Sequence, residues 1–239
     1  MQENLLFCTM KKLLLLFIAI LLSNCSGNEP IAEPNSENFK PEVTNLNLAT
    51  KIPNSLQSKS PMIWAQINMM ETYVRMGGNF MNPTTGKTNS TLLKNTWNYG
   101  GYTVTYSYDL VGDKYEYHYI MSLNNKIYST IDGWQKTNGS SGHWEYNINL
   151  SAMGAPSTSN YNIDLSWNKN STNNYTFDMI FNLGSSGTIR YLTHLNNDYS
   201  GDFNYYMNST LVYNGIWNTN GGGRFTNYMT SPPTITTWN

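Results

Sequence analysis

Residues 102–123 read Tyr-Thr-Val-Thr-Tyr-Ser-Tyr-Asp-Leu-Val-Gly-Asp-Lys-Tyr-Glu-Tyr-His-Tyr-Ile-Met-Ser-Leu. Tyr102, Val104, Tyr106 and Tyr108 alternate with Thr103, Thr105 and Ser107, the period of two that a half-buried strand requires. Closing Gly112-Asp113 as a two-residue hairpin sets Tyr108 opposite Tyr117, Tyr106 opposite Tyr119 and Val104 opposite Met121. The aromatic residues then share one face, and the register supports itself.

The same period recurs downstream. Trp144, Tyr146, Ile148 and Leu150 alternate with Glu145, Asn147 and Asn149. Tyr175, Phe177, Met179, Phe181 and Leu183 follow the same rule. Similar strands begin near Tyr115, Ile127, Tyr161, Thr188, Phe203, Leu211 and Arg224. Turn clusters such as Asn124-Asn125, Gly184-Ser185-Ser186-Gly187 and Asn220-Gly221-Gly222-Gly223 separate them. The pattern predicts a mainly β protein, an antiparallel up-and-down meander of about ten strands.

Upstream the period changes. Ser60-Pro61, a cap residue and a first-turn proline, precedes Ile63, Trp64, Ile67, Met70, Tyr73 and Val74, and Gly77-Gly78 supplies a stop. This predicts one N-terminal amphipathic helix over 61–76, about 24 Å long at 1.5 Å per residue. Such a helix covers only part of a ten-strand apolar face. Curling into a barrel, or a half-barrel closed by the packed helix, would bury the rest.

The composition agrees. The 239 residues carry 18 Tyr, 8 Phe and 7 Trp, more apolar area than a disordered chain bears. Only 12% are charged, the net charge is -1, and Lys and Arg are scattered singly, so no basic stripe invites nucleic acid. About 35 Asn and about 47 Ser plus Thr provide solubility instead, a strong departure from average usage.

The first residues carry an address. Met10-Lys11-Lys12 precedes an apolar run from Leu13 to Leu22, then Ser23-Asn24-Cys25-Ser26-Gly27. A basic start and an apolar run of this length read as a secretory signal, too short to span a bilayer permanently. The stretch resembles a bacterial lipoprotein signal peptide, whose lipobox ends in a Cys that is diacylated and becomes the new N-terminus. Leu22 stands at the apolar lipobox position, whereas Asn24 stands where Gly, Ala or Ser is usual. The resemblance implies a signal peptide over 1–24 with Met10 as the true start, lipid attachment at Cys25, membrane contact through the acylated Cys25, and an envelope location, the outer membrane. With Cys25 in a thioether and Cys8 ahead of Met10, no thiol remains for a disulfide, catalysis or zinc. Residues 25–53, with Pro30, Pro34, Pro41 and Pro53 among Glu29, Glu33, Glu37 and Glu42, read as an extended tether. Residues 54–239 form the helix-plus-meander domain, expected to be a monomer.

Motifs for chemistry are thin. Asn82 to Thr88 ends like a phosphate loop, but its first glycine would fall at Met81. Glu116 with His118, and His143 with Glu145, could each begin a metal site. In a simple meander their strands are second neighbours, about 9.6 Å apart, with Ser129 and Ile131 between them on that face, so no shared metal is expected. His194 has no acidic neighbour within a few positions along the chain. No Gly-x-Ser-x-Gly elbow occurs. Asp164 and Asp178 lie on adjacent strands, as glycoside-cleaving carboxylates would, but such pairs arise by chance. Composition accounts for the Asn-x-Ser/Thr triplets at Asn89, Asn170 and Asn208. No enzyme activity and no cofactor are expected.

What remains is the aromatic and Met lining: Tyr106, Tyr117, Tyr119, Phe177, Phe181, Tyr191, Tyr205 and Met207. An apolar ring with a hydroxyl suits an amphiphile or the plane of a sugar. Two readings follow. One is a lipoprotein holding a hydrophobic or amphipathic molecule in an aromatic-lined barrel, similar to lipocalins by architecture only. The other is a surface interaction or adhesion lipoprotein with a filled core and no small ligand, contacting glycans, host proteins or other envelope components. A membrane-spanning barrel ranks behind both, because many strands run only seven or eight residues.

Overall fold

The computed structural model describes residues 48–80, 92–99, 101–152 and 160–239. Twelve strands follow one another in a single antiparallel sheet, paired strictly in chain order. They are β1 (Leu92–Tyr99), β2 (Tyr102–Val111), β3 (Lys114–Leu123), β4 (Lys126–Lys136), β5 (Ser141–Asn149), β6 (Asn160–Lys169), β7 (Tyr175–Asn182), β8 (Thr188–Leu195), β9 (Gly201–Met207), β10 (Thr210–Trp217), β11 (Gly223–Asn227) and β12 (Thr234–Trp238).

The hairpin expected at Gly112-Asp113 forms in the expected register, with Tyr108 opposite Tyr117, Tyr106 opposite Tyr119 and Val104 opposite Met121. Asn124 and Asn125 both adopt positive φ, as do Asn208 and Ser209, the geometry that lets a two-residue turn match strand twist. Two strands go beyond the ten expected. In β1, Leu92 and Leu93 stand side by side and Asn95 interrupts the apolar series before Trp97 and Tyr99, and β12 reads Thr-Ile-Thr-Thr-Trp with one large aliphatic residue, so neither shows an unbroken alternation.

Alternation sorts the sheet into two faces. One row of the apolar face crosses eight strands as Tyr106, Tyr119, Ile131, Tyr146, Ile163, Phe181, Ile189 and Met207. The helices lie over this face. A 3-10 turn (Leu48–Lys51) and α1 (Leu56–Lys59) lead into α2 (Pro61–Phe80). Ile63, Ile67 and Met70 are completely buried. Ile63 fills the space above Gly215 of β10, the Thr193 hydroxyl of β8 donates to Met70 Sδ at 3.4 Å, Tyr73 meets Phe181 of β7 edge-on at 5.5 Å, and Tyr146 of β5 donates to the Tyr73 carbonyl at 3.2 Å. The helix therefore crosses diagonally from β10 to β5. It also runs on through Gly77-Gly78, the expected stop, each glycine costing about 1 kcal/mol of helix propensity.

Two further expectations change. The sheet is not closed into a barrel: β1 and β12 are its two edges and do not pair with each other. Burial that closure would supply comes over β5–β10 from the helical layer. The folded domain also begins earlier than residue 54. Leu48 and Ile52, placed in the tether, are 0% and 3% exposed, and Ser55 Oγ donates to the Asn220 carbonyl at 2.8 Å, docking this segment on the β10–β11 turn. Two apolar side chains among prolines and acids carry too little periodicity to reveal such docking.

Glycines on the apolar face answer to tryptophans. A Cβ at Gly133, Gly142, Gly201 or Gly223 would fall 2.5, 2.2, 2.5 or 2.9 Å from the indole of Trp144, Trp167, Trp217 or Trp238, its partner across the strands. Three of these indoles also donate to a turn carbonyl just before the glycine: Trp167 to Gly139 at 3.3 Å, Trp217 to Tyr199 at 3.0 Å and Trp238 to Gly221 at 2.6 Å. Each of the three is followed by Asn. The recurring Gly partner and Trp-Asn pair mark a repeated way of closing a hairpin end.

Candidate functional site

The second face of the sheet is open and polar, and its two central rows carry six acidic residues and two of the three histidines. One row reads Ser107, His118, Asp132, Glu145, Asp164, Ile180, Arg190 and Tyr206. The next reads Asp109, Glu116, Trp134, His143, Ser166, Asp178, Leu192 and Asn204.

All three histidines face an aspartate on a neighbouring strand. His118 Nδ1 contacts Asp132, His143 Nε2 lies 2.9 Å from Asp164 Oδ2, and His194 Nδ1 lies 2.7 Å from Asp202 Oδ2. Arg190 grips Asp178 through two parallel bonds of 2.7 and 2.6 Å. Glu145 accepts from the amides of Asn147 at 3.2 Å and Asn162 at 2.8 Å. These pairings tie Asp164 to His143 and Asp178 to Arg190. Among the described residues, no group of three or more His, Cys, Asp or Glu is arranged to hold a metal ion.

The hydrogen bond that His143 donates to Asp164 raises its pKa above the ordinary value; partial burial opposes this, and the charges of Asp164 and Glu145 add to it. Because the folded-state value lies above the unfolded one, near 6.5, the pair stabilises fully below that pH, and its contribution is lost as pH rises through the raised value. Wild type and His143→Asn should therefore differ most in urea midpoint below about pH 6.5 and converge as pH rises above it. A difference that does not vary with pH would mean that the pair contributes no ionic stabilisation.

Two hollows flank Trp134 and His143. The first, about 440 Å³, is lined by Asp109, Glu116, His118 and Asp132 on the β2–β4 side. The second, about 470 Å³, is lined by Ser166, Asn168, Thr176 and Asp178 on the β6–β7 side. Because both are bounded by Trp134 and His143, they form one groove running across the strands. Trp134 is partly exposed in it, and Lys114 Nζ sits 4.2 Å from its ring centre. Asp109 and Glu116 stand directly opposite each other, and like charges so placed repel.

The expected lining residues all fall on the other face. Phe177, Tyr191, Tyr106, Tyr117, Tyr205 and Phe181 are buried, with Phe181 and Tyr191 at 5.8 Å and Tyr191 and Tyr205 at 5.1 Å between ring centres. Tyr119 and Met207, in the Tyr106 row, are half-buried. Burial pushes the phenols of Tyr73 and Tyr205 up to about 12 and those of Tyr106 and Tyr191 in the same direction, so all stay neutral. The structure brings these residues together as a packed layer in which Phe181 meets α2 through Tyr73. Cys25 and the segment Asn82 to Asn89 lie outside the described residues.

Asp132 and Trp134 were not found from sequence, and the reason is local. A bulge at Tyr128 shifts the β3–β4 register, so that Met121 pairs Ser129 while Ser122 pairs Ile127. One extra residue exchanges the faces of everything beyond it. Asp132 and Trp134 therefore stand opposite His118 and Glu116, where a regular hairpin would place Ile131 and Gly133, and Ser129 and Ile131 go to the apolar face. The adjacent pair Ile127-Tyr128, which breaks alternation, was the available signal. His194 likewise gains Asp202 only across strands.

Comparison with protein-family models, with curated proteins and with solved structures gives no match for this chain.

Proposed function

We propose that this chain is a bacterial envelope lipoprotein, anchored through Cys25, that recognises glycans with the groove around Trp134. The observation that carries the reading is the aromatic ring of Trp134 partly exposed among fixed hydrogen-bonding groups, with His143 beside it and hollows on both sides. A flat ring packs against the apolar face of a pyranose while carboxylates, imidazoles and amides accept and donate to its hydroxyls. Cross-strand bonds already hold His118, His143 and Asp178 in position, so little side-chain freedom is lost on binding. The anchor rests on the likeness of residues 10–28 to a lipoprotein signal.

The second reading, a carrier for a hydrophobic or amphipathic molecule on the apolar face beneath α2, is favoured by one observation. Trp144 Nε1 and Gln66 Oε1 are buried without hydrogen-bond partners, as groups awaiting a ligand would be. An open sheet whose aromatic rows are packed suits it less well than a closed barrel would.

A single titration separates the two. Purified protein and Trp134→Ala are screened against a glycan panel and against lysophospholipid. Saturable glycan binding should weaken roughly 30-fold in Trp134→Ala, the equivalent of about 2 kcal/mol for a central aromatic contact. Glycan binding of equal strength in both proteins would overturn the groove, and lipid binding unaffected by the substitution would favour the carrier.

A further inference from the structure

We propose that β12 pairs with β12 of a second copy of this chain, forming a symmetric dimer through continuous sheet. Among the described residues, no strand pairs with the outer side of β12, so its outward N–H and C=O groups lack sheet partners. Natural edges are commonly guarded by charge, proline within the strand or a bulge. The other edge carries Lys94 near the middle of β1, but Thr234–Trp238 has no charge and no proline, and it pairs β11 without a register shift. The side chains of residues 234–237 stand in solvent, with Ile235 60% exposed, and the loop leading into the strand presents Tyr228 and Met229 at 43% and 54%. Exposed apolar groups beside an unguarded edge mark a protein contact.

The occupant follows from charge and register. A neutral strand offers nothing to a partner that selects by charge, but it complements itself. In antiparallel self-pairing Thr236 falls on the two-fold axis, Ile235 meets the second copy's Thr237, and Thr234 meets its Trp238. Two of these three kinds of pair are β-branched on both sides, a favourable cross-strand combination. The loop holding Tyr228 and Met229 then lies beside the other copy's Trp238. Isologous closure of this kind uses up the β12 edge of each copy and stops at two copies, since the remaining β1 edges carry Lys94.

The axis relating antiparallel strands stands perpendicular to their sheet, so both open faces look the same way. If the groove at Trp134 binds glycans, the dimer presents two such grooves to one surface, which multiplies weak affinities by avidity. That consequence rests on the proposed function; the dimer itself does not.

The test uses a full chain whose native cysteines are replaced, Cys8→Ser with Cys25→Ser, so that only an introduced thiol can cross-link. Mild oxidation of Thr236→Cys should give disulfide-linked dimer, because facing Cα atoms in antiparallel strands lie about 4.5–5.5 Å apart, within disulfide reach. Thr234→Cys, whose counterpart is Trp238, should yield at least tenfold less. Both substitutions are on exposed positions and leave folding intact. Without oxidant, light scattering should show dimer increasing with concentration, and Thr236→Lys should abolish it. Equal cross-linking at 234 and 236, absence of cross-linking at 236, or a monomer at every concentration would overturn the proposal, whatever the glycan screen returns.

Discussion

Ile67→Asp should destabilise the domain by about 3–5 kcal/mol, the cost of a buried charge without a partner, and lower the melting temperature by roughly 2–4 °C for each kcal/mol. Ile67 is fully buried one turn from Ile63 and Met70, whose contacts with Gly215 and Thr193 place this helix stripe against β10 and β8. A carboxylate there loses its water, and burial favours its protonated form. The loss should therefore diminish in mild acid, where the new side chain becomes neutral. Circular dichroism melts of wild type and variant at two pH values read both effects. An unchanged melting temperature would mean that α2 is peripheral to the sheet, contrary to the packing described.

Gly142→Ala should cost about 1–3 kcal/mol although it adds one methyl group, because that methyl would stand 2.2 and 2.3 Å from the Trp167 ring. The indole can yield only by breaking its bond to the Gly139 carbonyl and shifting within a buried site. Trp167→Ala should cost more, about 3–5 kcal/mol, by leaving a cavity. The double variant should be less destabilised than the sum, since the methyl then occupies vacated space. Gly112→Ala is the contrast. Nothing lies within 4 Å of its Cβ, and only its φ of +65° opposes the change. Denaturant midpoints of the four variants measure the coupling, and strict additivity of Gly142→Ala and Trp167→Ala would refute the ring-over-glycine account.

The same contacts explain why the groove lies where it does. Large rings fill the apolar side, with indoles directly over the glycines of neighbouring strands, while mostly polar and charged side chains and Trp134 shape the opposite surface. Cross-strand His–Asp and Arg–Asp pairs then hold that surface in place at sites half open to water, where each pair alone contributes modestly.

The Gly112-Asp113 hairpin, the faces of Tyr106, Tyr117 and Phe177, and the helix beginning at Pro61 were legible in the sequence because each depends on neighbours a few positions away. Period-two alternation, two-residue turns and a proline after a cap residue act locally, so the amino-acid order alone determines them. The signal-like stretch ending at Cys25 is local too, and it alone suggests where the protein resides. Other features depended on contacts between distant segments. The Tyr128 bulge placed Asp132 and Trp134 on the open face and completed the groove, because a single extra residue reverses every side chain after it. Leu48 and Ile52 became core only by docking on the sheet, and the sheet remained open with α2 lying on its apolar face. Such outcomes are decided by the sum of burial over the whole chain, to which no short stretch of sequence holds the answer.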